Sequence, residues 1–203
     1  LLTSLILIFF AFLSNYGNRV TRSKLLSFLS TFSISGYAMP GVILAVAFIT
    51  FISWLDNNIV KFLDLNSIKK VFIGSIMGLI IVYFIRFYSL AFNGIKSGYE
   101  RINRSIDESS YLLGYSKFKT FSGIHVPYLK NSIFLIGILI TIEIIKELPI
   151  TLILRPFNFE TFATTAYIFA SQDLLEAAAV PSLFSILIAS LFILITSRYI
   201  LKD

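Results

Sequence analysis

The sequence predicts an all-α integral membrane protein: a bundle of membrane-spanning helices with a polar elbow at one end. Three observations carry that prediction. Of the 203 residues, 57% are hydrophobic and only 14% are charged, whereas a soluble domain is roughly 45–50% apolar and about 25% charged. Mean hydropathy is +0.85. The apolar residues also fall into unbroken blocks near the ~20 residues that cross a ~30 Å hydrocarbon core. A helix satisfies its own backbone in lipid, and the blocks lack the alternating pattern of short barrel strands. The 21 Phe residues suit lipid-facing surfaces and interfacial belts.

The chain opens inside an apolar run, Leu1 to Leu13. It reads as most of a transmembrane helix whose upstream sequence is missing. It is not a signal peptide, because no basic segment precedes it and no small-residue cleavage site follows. A second span is expected over about 34–55, with Pro40 in its first turn before Gly41. Trp54, Asp56 and Asn57 mark its interfacial end. A third is expected over about 71–90, where Gly74 and Gly78 form a G-x-x-x-G suited to close helix packing. The fourth runs over about 127–148 and is ended by Pro149, and the fifth over about 180–198, opened by Pro181. Between them, 150–179 carries a helical pattern, ETFATTAYIFASQDLLEAAA, expected to lie at the interface or re-enter the membrane.

The elbow, 105–129, is the longest polar interruption between apolar blocks. Ser105 and Glu108 have the S-x-x-E spacing of a capping box. A short helix should follow, with Ile106, Ser109, Ser110 and Leu113 on one face. Gly114 stands where such a helix stops in a left-handed conformation. Ser116 can cap a second short helix carrying Phe118 and Phe121, and Pro127 suits the first turn of the next long helix. His125 is expected as an interfacial residue.

Charge gives a topology. With the elbow in the cytoplasm, twelve of the 17 Lys and Arg residues, Arg86 among them, fall on the cytoplasmic side, as the positive-inside rule requires. The net charge of +6 is thus a topology signal and a contact with lipid headgroups, not a nucleic-acid stripe. There is no cysteine and one histidine. Thiol chemistry and a histidine-rich metal site are excluded, no phosphate-binding Walker motif is present, and no cofactor is expected. A membrane-embedded enzyme would need a catalytic set that the chain does not offer. No repeat or linker divides it, so 1–203 reads as one transmembrane domain.

The spacing Glu108-Ser109-Ser110, Gly114, Ile124-His125-Val126-Pro127 resembles the EAA loop of ATP-binding-cassette importer permeases. That pattern reads E-A-A, three residues, G, nine residues, I-x-L-P. Ser109 and Ser110 stand in place of Ala, and Val126 in place of Leu. YAMPGVILAVAFI from Tyr37 and KELPITLILRPFNFETFATTAYIFAS from Lys146 are similar to the ferric-iron and thiamine branch. The resemblance implies a type I importer helix bundle whose cytoplasmic coupling helix docks on a partner ATPase. In that reading Glu108, Ser109, Ser110, Gly114, Ile124 and Pro127 are the ATPase-coupling residues, and the chain itself hydrolyses nothing. It also implies an extracytoplasmic solute-binding protein docking near Arg155-Pro156-Phe157, and a second permease half or a homodimer partner. The chain would be the C-terminal half of a fused permease or a single half that pairs, in a bacterial inner membrane, with its C-terminus cytoplasmic. Ferric iron is the implied substrate, with thiamine or another small solute as the alternative.

Glu143, Lys146 and Glu147 stand near the outer end of the fourth span. Ionisable groups at that depth are costly unless they face protein or water. They are therefore candidates for the pathway or its gate, set against a self-neutralising Glu–Lys pair that ties the helix to its neighbours. An ion-driven secondary transporter is the other transport reading; its sign would be broken helices with charge at the centre of a span, and no such charge is read in any span.

Overall fold

A computed structural model describes residues 1–21, 24, 28, 30–32, 35–62 and 72–200. Among them every regular element is helical. In chain order these are α1 (Leu2–Thr21), a 3₁₀ turn (Ser35–Ala38), α2 (Gly41–Phe62), α3 (Ile76–Glu100), α4 (Arg104–Leu112) and α5 (Lys117–Thr120). A single π turn (Phe121–His125) follows, then α6 (Val126–Lys146), α7 (Pro149–Leu154), α8 (Phe162–Ser171) and α9 (Leu175–Ile200). Four stretches are long and apolar enough to cross a membrane: Gly41–Asn58, Ile76–Glu100, Lys117–Lys146 and Leu175–Arg198. This is the organisation of a multi-pass helical membrane protein. α1 is 20 residues long, but Asn15, Asn18 and Arg19 make its second half polar, and it is not among the four.

Several boundaries differ from the sequence expectation. α2 starts at Gly41; Pro40 stands just outside it, its carbonyl accepting from the Leu44 N–H at 3.1 Å. α3 extends ten residues past Leu90, to Glu100, which places Arg86 well inside the helix rather than at a cytoplasmic end. The segment 150–179 is three pieces, not one helix. α9 begins at Leu175, so Pro181 lies inside it. Ser182 Oγ donates to the Ala178 carbonyl and Ser185 Oγ to the Pro181 carbonyl, at 2.8 and 3.0 Å. The expected span starts at Ile34 and Val71, and the charges Arg22, Asp64, Lys69, Lys70, Lys202 and Asp203, lie outside the described residues.

The chain forms two compact units: Leu1–Ala38 with Phe87–Ile140, and Met39–Arg86 with Thr141–Asp203. In the first, Leu7 and Ala11 of α1, Ala91 and Ile95 of α3 and Leu129 and Ile140 of α6 are buried. Asn15 fastens α1 to α3, donating to the Phe92 carbonyl at 3.1 Å, and Tyr88 OH donates to Ser14 Oγ at 2.7 Å. The close helix approach is made by Gly94 and Gly98 of α3. A Cβ on Gly94 would lie 2.7 Å from Ile136 Cγ1, and one on Gly98 2.8 Å from Leu129 Cδ2. This second G-x-x-x-G, not Gly74–Gly78, brings two helices together. Gly74 sits in a turn before α3 with φ +68, and Gly78 faces the Phe72 carbonyl within its own segment.

In the second unit α2 packs on α7, and α8 packs on α9. Asp56 is fully buried, and its carboxylate accepts the backbone N–H groups of Phe72 (3.2 Å) and Ile73 (3.0 Å), closing the turn ahead of α3. The expectation of an interfacial aspartate is replaced by a structural cap. Thr161 and Thr164 form a reciprocal capping box on α8, and α8 ends on Asp173 at φ 60. α9 leaves Leu183, Phe184, Ile186, Leu187, Leu191, Ile193 and Leu194 exposed. An apolar surface of that extent belongs in lipid or under another chain rather than in water.

Gly94→Ala and Gly98→Ala are each expected to lower stability by about 1–3 kcal/mol, as overpacking does. Gly123→Ala, which has nothing within 4 Å of its Cβ position, should not. Unfolding of the purified protein in detergent by SDS titration checks the contrast.

Candidate functional site: the elbow and its anchor

α4 starts two residues earlier than the sequence suggested. Its N-cap is Asn103, whose side chain accepts from the Ser105 N–H at 3.2 Å. Ser105 therefore lies inside the first turn, and the Ser105–Glu108 capping box does not form. Asn and Ser are comparable caps, so a contact outside the elbow decides between them: the Asn103 carbonyl is held by Arg19. The C-terminal end follows expectation. Gly114 adopts φ +79, its N–H reaches the Tyr111 carbonyl (3.0 Å), and the Tyr115 N–H reaches that of Ser110 (3.0 Å). These are the two bonds of a Schellman motif, which needs a left-handed residue at Gly114. Ser116 caps α5 by accepting from the Lys119 N–H at 3.3 Å.

α5 then runs into the π turn and on into α6, giving one continuous apolar stretch, Lys117–Lys146. The wide turn has a local cause. Pro127 has no N–H for the Gly123 carbonyl, and its ring would crowd that carbonyl in regular α geometry.

The buried face of α4 is not the one expected. Ile106 and Leu113 are exposed, and Asp107 and Ser110 are buried. Asp107 Oδ2 accepts from Arg19 Nε at 2.6 Å, and His125 Nε2 lies 3.2 Å from Asp107 Oδ1. The remaining Arg19 nitrogens donate to the carbonyls of Tyr99 (3.1 Å), Ile102 (3.0 Å) and Asn103 (3.1 Å) at the end of α3. One guanidinium thus ties together the carbonyls at the junction of α3 and α4 and neutralises a carboxylate.

His125 is fully buried between Tyr16 and Tyr99, with ring centroids 5.4 Å from each. It is an anchor, not an interfacial residue. Tyr16 OH donates to the Lys117 carbonyl at 2.5 Å, and Phe121 packs on Phe12 and Tyr16 at 4.9 and 4.6 Å. Ser110 Oγ donates to the Asp107 carbonyl at 2.7 Å and meets Thr120 Oγ1 at 2.9 Å.

The motif residues divide by face. Ser110 points into the anchor and Ile124 is half-buried, while Glu108, Ser109, Gly114 and Pro127 are exposed. The tip is apolar: Leu112, Leu113 and Phe118 are 89%, 76% and 75% exposed. Sequence reasoning passed over Asp107 and Arg19. The available signal was a carboxylate three residues ahead of Ser110, on the same helix face.

The gate candidates separate. Glu143 and Lys146 form an exposed ion pair at 2.8 Å, and Glu147 turns away from both. Glu147 is buried: Oε2 lies 3.3 Å from Arg86 Nε, and Oε1 accepts the Ile150 N–H at 3.3 Å. Arg86 also donates to the Met39 carbonyl at 2.6 Å. Thr151 Oγ1 donates to the Glu147 carbonyl at 2.6 Å and bonds Tyr83 OH. A Cβ on Gly41 would fall 3.0 Å from Glu147 Oε1 and 3.6 Å from Arg86 Cζ, so Gly41 leaves room for the pair. Arg155 pairs with Glu160, and Phe157 beside it is 94% exposed. Among the described residues no three His, Cys, Asp or Glu side chains converge as metal ligands would.

No protein-family model matches the chain, and no curated protein matches it.

Asp107→Asn is expected to destabilise the protein by about 3–5 kcal/mol, because it leaves the Arg19 charge buried without its partner. Arg19→Leu combined with Asp107→Leu should recover much of that loss. Limited proteolysis of the elbow and SDS-induced unfolding read both effects.

Proposed function

We propose that the chain is the transmembrane permease subunit of a binding-protein-dependent ATP-binding-cassette importer. In this reading the elbow is the coupling element that a partner ATPase moves. The observation that supports it best is the division of the elbow into two faces. The inner face is fixed by Asp107, Ser110 and His125, while the outer face offers Glu108 beside the apolar tip Leu112, Leu113 and Phe118. A lever needs both a rigid root and a free contact surface. Buried apolar residues carry most of the energy of a protein interface, and three large apolar side chains at the turn after α4 suit a groove on a soluble subunit. Glu108 supplies a carboxylate that an arginine on the partner can grip.

The substrate proposed is ferric iron, with thiamine or another small solute as the alternative. The half-buried Glu143 offers a carboxylate oxygen of the kind a hard cation accepts in passage. Affinity would reside in an extracytoplasmic binding protein docked near Arg155–Phe157, and the pathway would close against a second permease half or a second copy. The location is a bacterial inner membrane, with the elbow and the C-terminus cytoplasmic. ATP hydrolysis belongs to the partner, not to this chain.

One observation favours a second reading, an ion-driven secondary transporter. The Arg86–Glu147 pair places charge inside the apolar helix Ile76–Glu100, where ionisable groups mark ion or substrate paths by default.

Copurification from solubilised membranes distinguishes the two. An importer retains an ATP-binding-cassette ATPase, and Glu108→Lys or Gly114→Asp loses it while the protein stays in the membrane and uptake falls to background. No retained ATPase, with uptake driven by an ion gradient and abolished by Glu147→Gln, supports the secondary transporter instead.

A further inference from the structure

The first unit contains a cavity of about 1040 Å³ that the coupling reading leaves unused. It lies against the polar half of α1 and the last turns of α3. Among the described residues its walls include Lys24, Lys96, Arg101 and Arg104, with Glu100 as the single acidic one. Arg19 also borders it, but its charge is engaged by Asp107 and its other donors by the α3 carbonyls. Those carbonyls would otherwise give this helix end a negative potential. With them occupied, four cations face the space against one carboxylate. Among the described residues none of the four is in an ion pair.

Two further features narrow the ligand. Asn18 holds Ser30 through its amide nitrogen at 2.9 Å, and its Oδ1 is buried with no hydrogen-bond partner among the described residues. Phe92 and Ile102 add an apolar wall. The cavity also stands at the end of a span, the depth at which phosphate headgroups lie. Basic pockets between membrane helices take acidic headgroups there.

We propose that this cavity is a binding site for a phosphate ester. Lys96, Arg101, Arg104 and Lys24 neutralise the phosphate. Two sources share this chemistry: the headgroup of an acidic membrane lipid, and a free phosphate ester.

The test is native mass spectrometry of the detergent-solubilised full chain, titrated with phosphatidylglycerol, phosphatidylcholine or glycerol phosphate. Phosphatidylglycerol should occupy one saturable site, and Lys96→Gln with Arg104→Gln should weaken it by about tenfold or more. The charge-preserving pair Lys96→Arg with Arg104→Lys should retain binding, and Lys130→Gln, outside the cavity, should leave it unchanged. If the glutamine pair does not fold, Arg101→Gln alone carries the same test. Saturable glycerol phosphate binding that displaces the lipid assigns the site to the free ester, with the phosphate chemistry intact. Equal affinity for phosphatidylcholine, or undiminished phosphatidylglycerol binding by the glutamine variants, overturns the proposal.

Discussion

The elbow depends on one contact, the ion pair between Arg19 and Asp107. Arg19 lies near the end of α1, Asp107 on α4, and the same guanidinium closes the carbonyls that end α3. His125, which leads into α6, rests against the other oxygen of Asp107. Segments far apart in the chain thus meet at one carboxylate. A buried pair of this kind is weak as net stabilisation, because desolvation offsets much of the attraction. Its effect is geometric: with four N–H groups directed at four fixed oxygens, Arg19 admits few alternative placements of α4. Apolar side chains in the same place would hold the elbow without fixing its angle.

That dependence explains what could be read in the chain and what could not. Gly114 and Ser116 were legible because their signals are local: a left-handed stop and a cap act through backbone groups within a few residues. The choice of Asn103 over Ser105 was not, because two competent caps stand two residues apart and the Arg19 contact to the Asn103 carbonyl selects one. Asp107 was hidden for a related reason, since its partner lies 88 residues away. The amphipathic reading of α4 failed because it assumed an apolar buried face, and this face is polar and paired. The G-x-x-x-G read at Gly74 packs no helix because a turn interrupts it, and nothing in the spacing reports that turn; the one at Gly94 was not read. Membrane-crossing stretches were legible from composition, but prolines misled at their ends. Pro181 looked like a helix start and lies in an interior, where serine hydroxyls bond the adjoining carbonyls.

The second unit handles its polar groups in the same way. Arg86, Glu147, Tyr83 and Thr151 satisfy one another beside the break between α6 and α7, and Gly41 leaves space for them. Asp56 is sealed by two backbone N–H groups. Three ionisable residues that looked like one gate are thus two arrangements. Glu143 and Lys146 form an exposed pair, worth little as stabilisation. Glu147 belongs to a buried network where an unmatched group would be costly. If either carboxylate meets a passing solute, the exposed one can do so without dismantling the fold.

The same distinction bears on how motion could pass through the elbow. Between Leu112 and Phe118 the chain turns sharply, with Gly114 at its apex, and the apolar side chains there are exposed. Force applied at the tip has two routes inward. One runs through α4 to the Asp107 anchor, and the other through α5 and the π turn into α6. The first ends on charge-assisted bonds that resist rotation. The second passes the wide turn ahead of Pro127, where regular helical bonding is already interrupted. In the proposed coupling role, a root fixed by charge-assisted bonds on one side and a wide turn on the other would pass a displacement of the tip into α6, the helix that carries Glu143 and Lys146 at its far end.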